Sequence, residues 1–428
     1  MYVAPDVSAK APWRPLTRVA FRFVAVYFTL YVLFTQMLGG LLLLPYGELP
    51  DFGTLPPMRL LVTWTATHLF RVTQPLVVTG SGSGDKTYDW VLAFCLLTIA
   101  AVATVVWTAL DRRAESIAPL KWFRLFLRFA LGSTILFYGL AKVIPLQMPT
   151  PTLTRLLEPF GNFSPMGVLW SSIGTSRSYE IFTGVAEATA GILLFIPGLT
   201  TLGALLALAD MVEVFMLNMT YDVPVKLFSF HLILMSLVLL APDSSRLLNV
   251  LVLNRAAAPS MEPPLFTRRR AMRIAAALQL LLGVYLLGTN VHNNINRWRE
   301  FGGGAPKPAL FGIWSVDEAA VDGTVRPPLL SDEWRWRRLI VQNTRGVSVQ
   351  QMNDAVANYP ASIDPARRRI SFANGAGAMD YEQPSPSRLV LDGTWAGHRV
   401  HMQLRLVDAR FLLVSRGFHW VQEYPFNR

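Results

Sequence analysis

The 428-residue sequence holds a single cysteine, Cys95. An intramolecular disulfide is therefore excluded. Cys95 lies in an apolar run beside Phe94 and Leu96, which is no setting for a nucleophile. Charge is also scarce: 16% of residues are Asp, Glu, Lys or Arg, against about 25% in soluble domains. The six histidines give no ligand-spaced set. His398 and His401 stand three apart in an expected strand, which turns them to opposite faces. His68, His231, His292 and His419 have no such neighbours, so no metal site is expected. No Gly-x-Ser-x-Gly occurs. The turn Thr79 to Asp85 is rich in glycine, but no Gly-Lys-Ser/Thr opens a helix after it, so it reads as a flexible connection rather than a phosphate loop.

Apolar residues are abundant. They make up 52% of the chain, with 12 Trp and 25 Phe, and they gather in long runs. The formal net charge of +11 follows those runs, since Lys and Arg flank alternate segments as the positive-inside rule requires. No basic face interleaved with exposed aromatics appears, so nucleic acid is not an expected partner. The bilayer is. Lys10, Arg14 and Arg18 precede a run from about Phe21 to Leu44, too long for a signal-peptide core of roughly 7–15 apolar residues. It reads as an uncleaved span with a cytoplasmic N-terminus. Met58 to Val78 is interrupted by Arg59, His68, Arg71 and Gln74, which suits a helix lying in the outer interface. Trp90 to Leu110 is a second span, closed by Asp111-Arg112-Arg113.

Residues 121–242 form a four-helix membrane bundle in this reading, with ionisable residues inside it. The first helix carries Arg128 and ends Tyr138-Gly139-Leu140-Ala141-Lys142. The second holds Glu187, the third Asp210 and Glu213. Asp222 and Lys226 precede the fourth, which contains His231. At 1.5 Å per residue, Glu187 and Asp210 fall on the order of 12–14 Å deep in a ~30 Å core. An ionised group there costs roughly 2.5–3.5 kcal/mol on insertion scales, so such residues turn inward and mark sites. Arg128, Tyr138, Lys142, Glu187, Asp210, Glu213, Asp222, Lys226 and His231 are thus the candidate ligand-binding residues. The competing reading makes them a buried ion-pair network, with Glu187 or Asp210 held by Arg128, Lys142 or Lys226.

Gln147 to Ser178, between the first two bundle helices, reads as an outer cap with one short helix near Leu153 to Leu157. Residues 243–290 form a basic cytoplasmic loop and a seventh span, Ile274 to Leu287. Its cluster Arg268-Arg269-Arg270 and Arg273 fixes orientation. Asparagines and glycines over 291–309 read as a linker. From 310 to 428, period-two runs such as Trp334-Arg335-Trp336-Arg337 and Val400 to Leu406 signal strands, with hairpin turns at Asp392-Gly393 and Ala396-Gly397. Seven to nine strands in about 118 residues suggest a small barrel or sandwich. Trp334 and Trp336 share one face of a core strand, and Ser415 to Trp420 reads as last-strand packing or pocket lining.

Arg128, Gly139, Lys142 and Glu187, with Gly191-Ile192-Leu193-Leu194, resemble the DoxX-like membrane family over about 120 residues. Some members of that family are linked to thiosulfate:quinone oxidoreduction, so the resemblance implies quinone contact. Gly312-Ile313-Trp314 with Arg416 is similar to the lipocalin pairing, in which a first-strand Trp packs on a last-strand Arg. The expectation is a seven-span protein of the bacterial inner membrane with a periplasmic β domain. It binds a small lipophilic or acidic molecule at a mid-membrane polar pocket, a quinone being one version. The alternative is a membrane-anchored assembly factor whose β domain binds a protein. No residue set identifies catalysis.

Overall fold

The computed structural model describes residues 13–43, 49–111, 117–259 and 264–427. Lys10, Arg112 and Arg113, named above as basic flanks, lie outside them. The chain forms two compact units. One comprises residues up to 147 with 178–297, the other 148–177 with the chain from 298 onward. The helices run α1 Pro15–Phe34, α2 Met37–Leu41, α3 Pro56–His68, α4 Thr87–Leu110, α5 Ile117–Val143, α6 Leu153–Leu157 and α7 Pro165–Thr175. They continue with α8 Arg177–Phe195, α9 Thr200–Thr220, α10 Lys226–Leu240, α11 Ser244–Leu251, α12 Arg269–Glu300 and α13 Leu412–Ser415.

Six of these stretches are long and apolar enough to cross a membrane: α1, α4, α5, α9, α10 running on to Leu251, and α12. Seven spans were expected. The difference is α8, whose 19 residues include Arg177, Glu180 and Glu187. Its buried residues recur at helical spacing, from Glu180 through Gly184, Glu187, Ala188 and Gly191 to Leu194, so one face packs inward. The centre of this unit is α5. Its apolar window is 78% buried, against 28% for α9 and 22% for α12, so the latter two turn most of their surface outward. α3 has 13 residues, roughly 20 Å of helix, less than a bilayer core. It ends at His68, so the interfacial helix expected through Val78 fills only the first half of that stretch. α12 continues to Glu300, so the first ten residues expected as linker are helical.

The second unit holds nine strands: β1 Gly312–Val321, β2 Thr324–Val325, β3 Trp336–Asn343, β4 Gly346–Gln351, β5 Val356–Asp364, β6 Arg369–Phe372, β7 Gly377–Ser385, β8 Arg388–Trp395 and β9 His398–Leu406. From β3 to β9 each strand pairs antiparallel with the next; β1 pairs with β3 and also with β9. Eight strands therefore close into a barrel, and β2 is a two-residue extension on β1. Alternation fills its interior: Val400, Met402 and Leu404 of β9 meet Trp314, Leu339, Ile370, Met379 and Leu391. α6 falls where the short helix was expected, and the Leu153 N–H donates to Gln342 Oε1 of β3 within the same unit. α7 was not anticipated.

Three β-region expectations are corrected. Asp392-Gly393 lies inside β8, where a Cβ on Gly393 would stand 2.2 Å from the Ala378 carbonyl oxygen. That glycine serves close strand approach, not a turn. The turn is Ala396-Gly397, at φ +48° and +86°. Trp334 precedes β3 and packs its edge against His398, while Trp336 alone enters the core. The chain beyond Leu406 has left the sheet, so Ser415 to Trp420 are not last-strand residues and Trp420 is 91% exposed. Arg416 stacks on Phe426 and donates to Gln422. Trp314 is buried and donates to the Leu310 carbonyl. Among the described residues the buried arginine of this unit is Arg335, which donates to the carbonyls of Val316, Asp317 and Arg326.

Candidate functional site

Glycines set the geometry. Gly132 and Gly139 lie seven residues apart on α5, Gly184 and Gly191 seven apart on α8, and the pairs meet in antiparallel register. A Cβ on Gly139 would stand 2.5 Å from Ala188 N, and one on Gly184 would stand 2.6 Å from both the Gly139 oxygen and Val143 N. At the other end, a Cβ on Gly191 would be 2.8 Å from the Gly132 oxygen. Backbone thus touches backbone, as small residues permit between membrane helices. Gly203 brings α9 against α8 in the same way, with its missing Cβ 2.9 Å from Leu194 N.

These contacts fix the register of the charged residues. The position a Cβ on Gly184 would take lies 2.7 Å from Lys142 Cβ, so Lys142 stands beside Gly184, one turn of α8 from Glu187, a distance its long side chain spans. The Lys142 ammonium hydrogen-bonds Glu187 Oε1, with both residues buried. Asp210 lies seven residues beyond Gly203, and Glu187 seven before Leu194, so the two carboxylates are level across the α8–α9 contact. Glu213, one turn further along α9, shares that face. Asp210 lies within electrostatic reach of Glu187, Lys142 and Glu213, and Glu213 within reach of Lys142. Glu187 Oε2 and Asp210 Oδ2 are shielded from solvent and accept no hydrogen bond among the described residues. Glu213 is exposed on the outward side of α9. The result is three carboxyl groups around one ammonium, open at the flank of the bundle.

The other candidates go elsewhere. Arg128 stands fourteen residues before Lys142, roughly 21 Å along α5. It donates to Thr200 Oγ1 at 3.2 Å and to Gln279 Oε1 of α12. His231 is buried against α1. Its Nδ1 lies 2.7 Å from the Leu227 carbonyl, which can only accept, so Nδ1 donates and Nε2 accepts from Tyr27 OH at 2.6 Å. Its ring stacks on Tyr31 with centroids 4.0 Å apart. Lys226 Nζ meets Asp222 at 2.9 Å. Both belong to the start of α10, whose Lys226 and Leu227 N–H groups are capped by the Asp85 carboxylate at 2.8 and 2.9 Å. Gly84 N–H also donates to the Pro224 carbonyl, so the glycine-rich turn is anchored at its end. Tyr138 accepts from Gln36 Nε2 at 3.1 Å and lies within electrostatic reach of Glu187.

Reading the sequence missed Asp85, Gln279, Tyr27 and Tyr31. Asp85 had a signal, an acidic residue closing a glycine turn. The partners of Arg128 and His231 had none, because they come from helices distant in the chain.

No family model matches the sequence, and no solved structure matches the fold. A curated relative does: the uncharacterized protein YwoB of Bacillus subtilis (strain 168) is 33% identical over 128 residues, 30% of this chain and 79% of the relative. Over that part of its length, this multi-span membrane chain belongs to the same family as YwoB.

Proposed function

We propose that the Lys142–Glu187–Asp210–Glu213 cluster binds a small lipophilic or acidic molecule at mid-membrane depth and exchanges a proton with it. The observation that carries this is the pair of shielded, unpartnered oxygens, Glu187 Oε2 and Asp210 Oδ2. A buried acceptor left without a donor costs about 1–3 kcal/mol. A ligand bearing O–H or N–H groups supplies the missing donors. Glu213 is exposed on the outward side of α9, which favours a ligand that enters from lipid. An undissociated organic acid and a phenolic or quinol-like headgroup both meet these requirements. The DoxX-like resemblance supports the second.

The basic flanks at Arg14, Arg18 and Arg268 to Arg273 support an orientation with the N-terminus and that loop in the cytoplasm and the β-barrel domain outside, in a bacterial inner membrane. In this reading the domain covers, senses or passes on the ligand.

The test is mass spectrometry of small molecules that co-purify with the full-length protein, beside Glu187→Gln and Asp210→Asn. The wild type is expected to carry one defined lipophile or acid that both variants lose while their thermal transitions stay cooperative. Retention of the same molecule by both variants contradicts the site. A wild-type protein that carries no small molecule favours the anchor alternative, with the barrel as a protein-binding module.

A further inference from the structure

Away from the carboxylate cluster, where α2, α5, α10 and α12 come together, lies a cavity of about 310 Å³. That is at the low end of small-molecule sites, which run from roughly 300 to 1,000 Å³. α12 supplies one polar wall. Its 32 residues extend roughly 48 Å, well beyond a ~30 Å hydrocarbon core. Asn294 and Arg297 fall roughly 37–42 Å along the helix, at the end far from its basic start. Asn294 is 3% exposed, and its Nδ2 has no hydrogen-bond acceptor among the described residues. A 97%-buried donor lining a cavity calls for an acceptor there. Tyr138 adds a second donor, because its oxygen is already occupied by the Gln36 amide and its own proton remains to be given. Among the described residues the lining also includes the Asp51 carboxylate and an apolar wall with Phe137 and Phe228.

We propose that this cavity binds a zwitterionic headgroup that pairs an oxyanion with a primary ammonium, as in an ethanolamine phosphate. The oxyanion takes the Asn294 and Tyr138 donors. The ammonium donates to Asp51, and the first carbons of the apolar part lie on the two phenylalanines. A trimethylated ammonium has no N–H to give Asp51, and an anionic glycerol headgroup brings no positive charge to it. The inference stands apart from the reading of the carboxylate cluster.

The full-length protein in a nonionic detergent would be titrated with phosphatidylethanolamine, phosphatidylcholine and phosphatidylglycerol, and bound lipid counted by native mass spectrometry. Phosphatidylethanolamine is expected to bind about tenfold or more tightly than the other two. Asp51→Asn keeps the local turn acceptor yet should erase the preference over phosphatidylcholine. Tyr138→Phe and Asn294→Leu should weaken phosphatidylethanolamine several-fold without erasing it. Free phosphoethanolamine separates the sources: competition shows that the headgroup suffices, and its failure assigns the site to the intact lipid. Equal binding of the three lipids overturns the proposal. So does a preference unchanged in Asp51→Asn and Tyr138→Phe, which decide the matter even if Asn294→Leu does not fold.

Discussion

Lys142→Met will destabilise the protein by about 3–5 kcal/mol, the range for breaking a buried ion pair by removing one partner, whereas Glu187→Gln will cost far less. The asymmetry follows from the composition of the cluster. Among the described residues Lys142 is the one ammonium within reach of Glu187, Asp210 and Glu213. Its loss leaves three carboxyl groups with no counter-charge in a low-dielectric setting. Loss of the Glu187 charge leaves the ammonium facing Asp210 and Glu213, so compensation survives. A double variant, Lys142→Met with Glu187→Leu, removes both members of the direct contact and should recover part of the loss. Denaturant-induced unfolding in micelles reads all three. Equal destabilisation by the two single variants would mean that Lys142 serves Glu187 alone and that the wider cluster does not exist.

Substituting Gly139 or Gly184 by alanine comes next in expected magnitude. Each new Cβ would fall within 2.5–2.6 Å of backbone atoms on the facing helix, and backbone cannot rotate aside as a flexible side chain can. Overpacking of this kind typically costs 1–3 kcal/mol. Here the helices must separate, so the alignment of Lys142 with Glu187 is lost as well. Gly288→Ala is the internal control. It lies in α12 with nothing near its Cβ position, and alanine is the better helix former by roughly 0.8–1.0 kcal/mol. The expected pattern is lowered thermal transitions and lost ligand for Gly139→Ala and Gly184→Ala, with neither change for Gly288→Ala. Alanine tolerated at both α5 and α8 positions would rule out the close helix contact.

Much of this arrangement was legible in the residues. Long apolar runs with basic flanks announced the spans, and period two announced the strands of the barrel. Charged residues inside apolar runs located Lys142, Glu187, Asp210 and Glu213 because lipid penalises them wherever they sit. What composition conceals is which of them meet. Arg128 and Lys142 lie on one helix and were equal candidates for Glu187, yet roughly 21 Å of helix separates them. Only the glycine register, read on α5 and α8 together, chooses Lys142. His231 looked like a site residue for the same reason as Glu187. It proved to be a hydrogen-bonded core histidine, satisfied by Tyr27 and the Leu227 carbonyl. Lys226 and Asp222 owe their place to the start of α10. In the barrel, glycine was ambiguous by nature: at Gly397 it turns the chain, and at Gly393 it lets strands approach.

The claim on which the rest depends is that the carboxylate cluster lies within the hydrocarbon core. A nitroxide at Val212, between Asp210 and Glu213 and 43% exposed, tests it in reconstituted bilayers. Cys95 is the one native thiol and is buried, so Cys95→Ser with Val212→Cys gives a single attachment point. Power-saturation spectroscopy then compares collisions with dissolved oxygen, which concentrates in the acyl core, and with a water-soluble nickel chelate. Strong oxygen and weak nickel accessibility at Val212, with the reverse at a label on exposed Asp222, is the result this account predicts. Nickel accessibility at Val212 equal to that at Asp222 would place the cluster in water and contradict it.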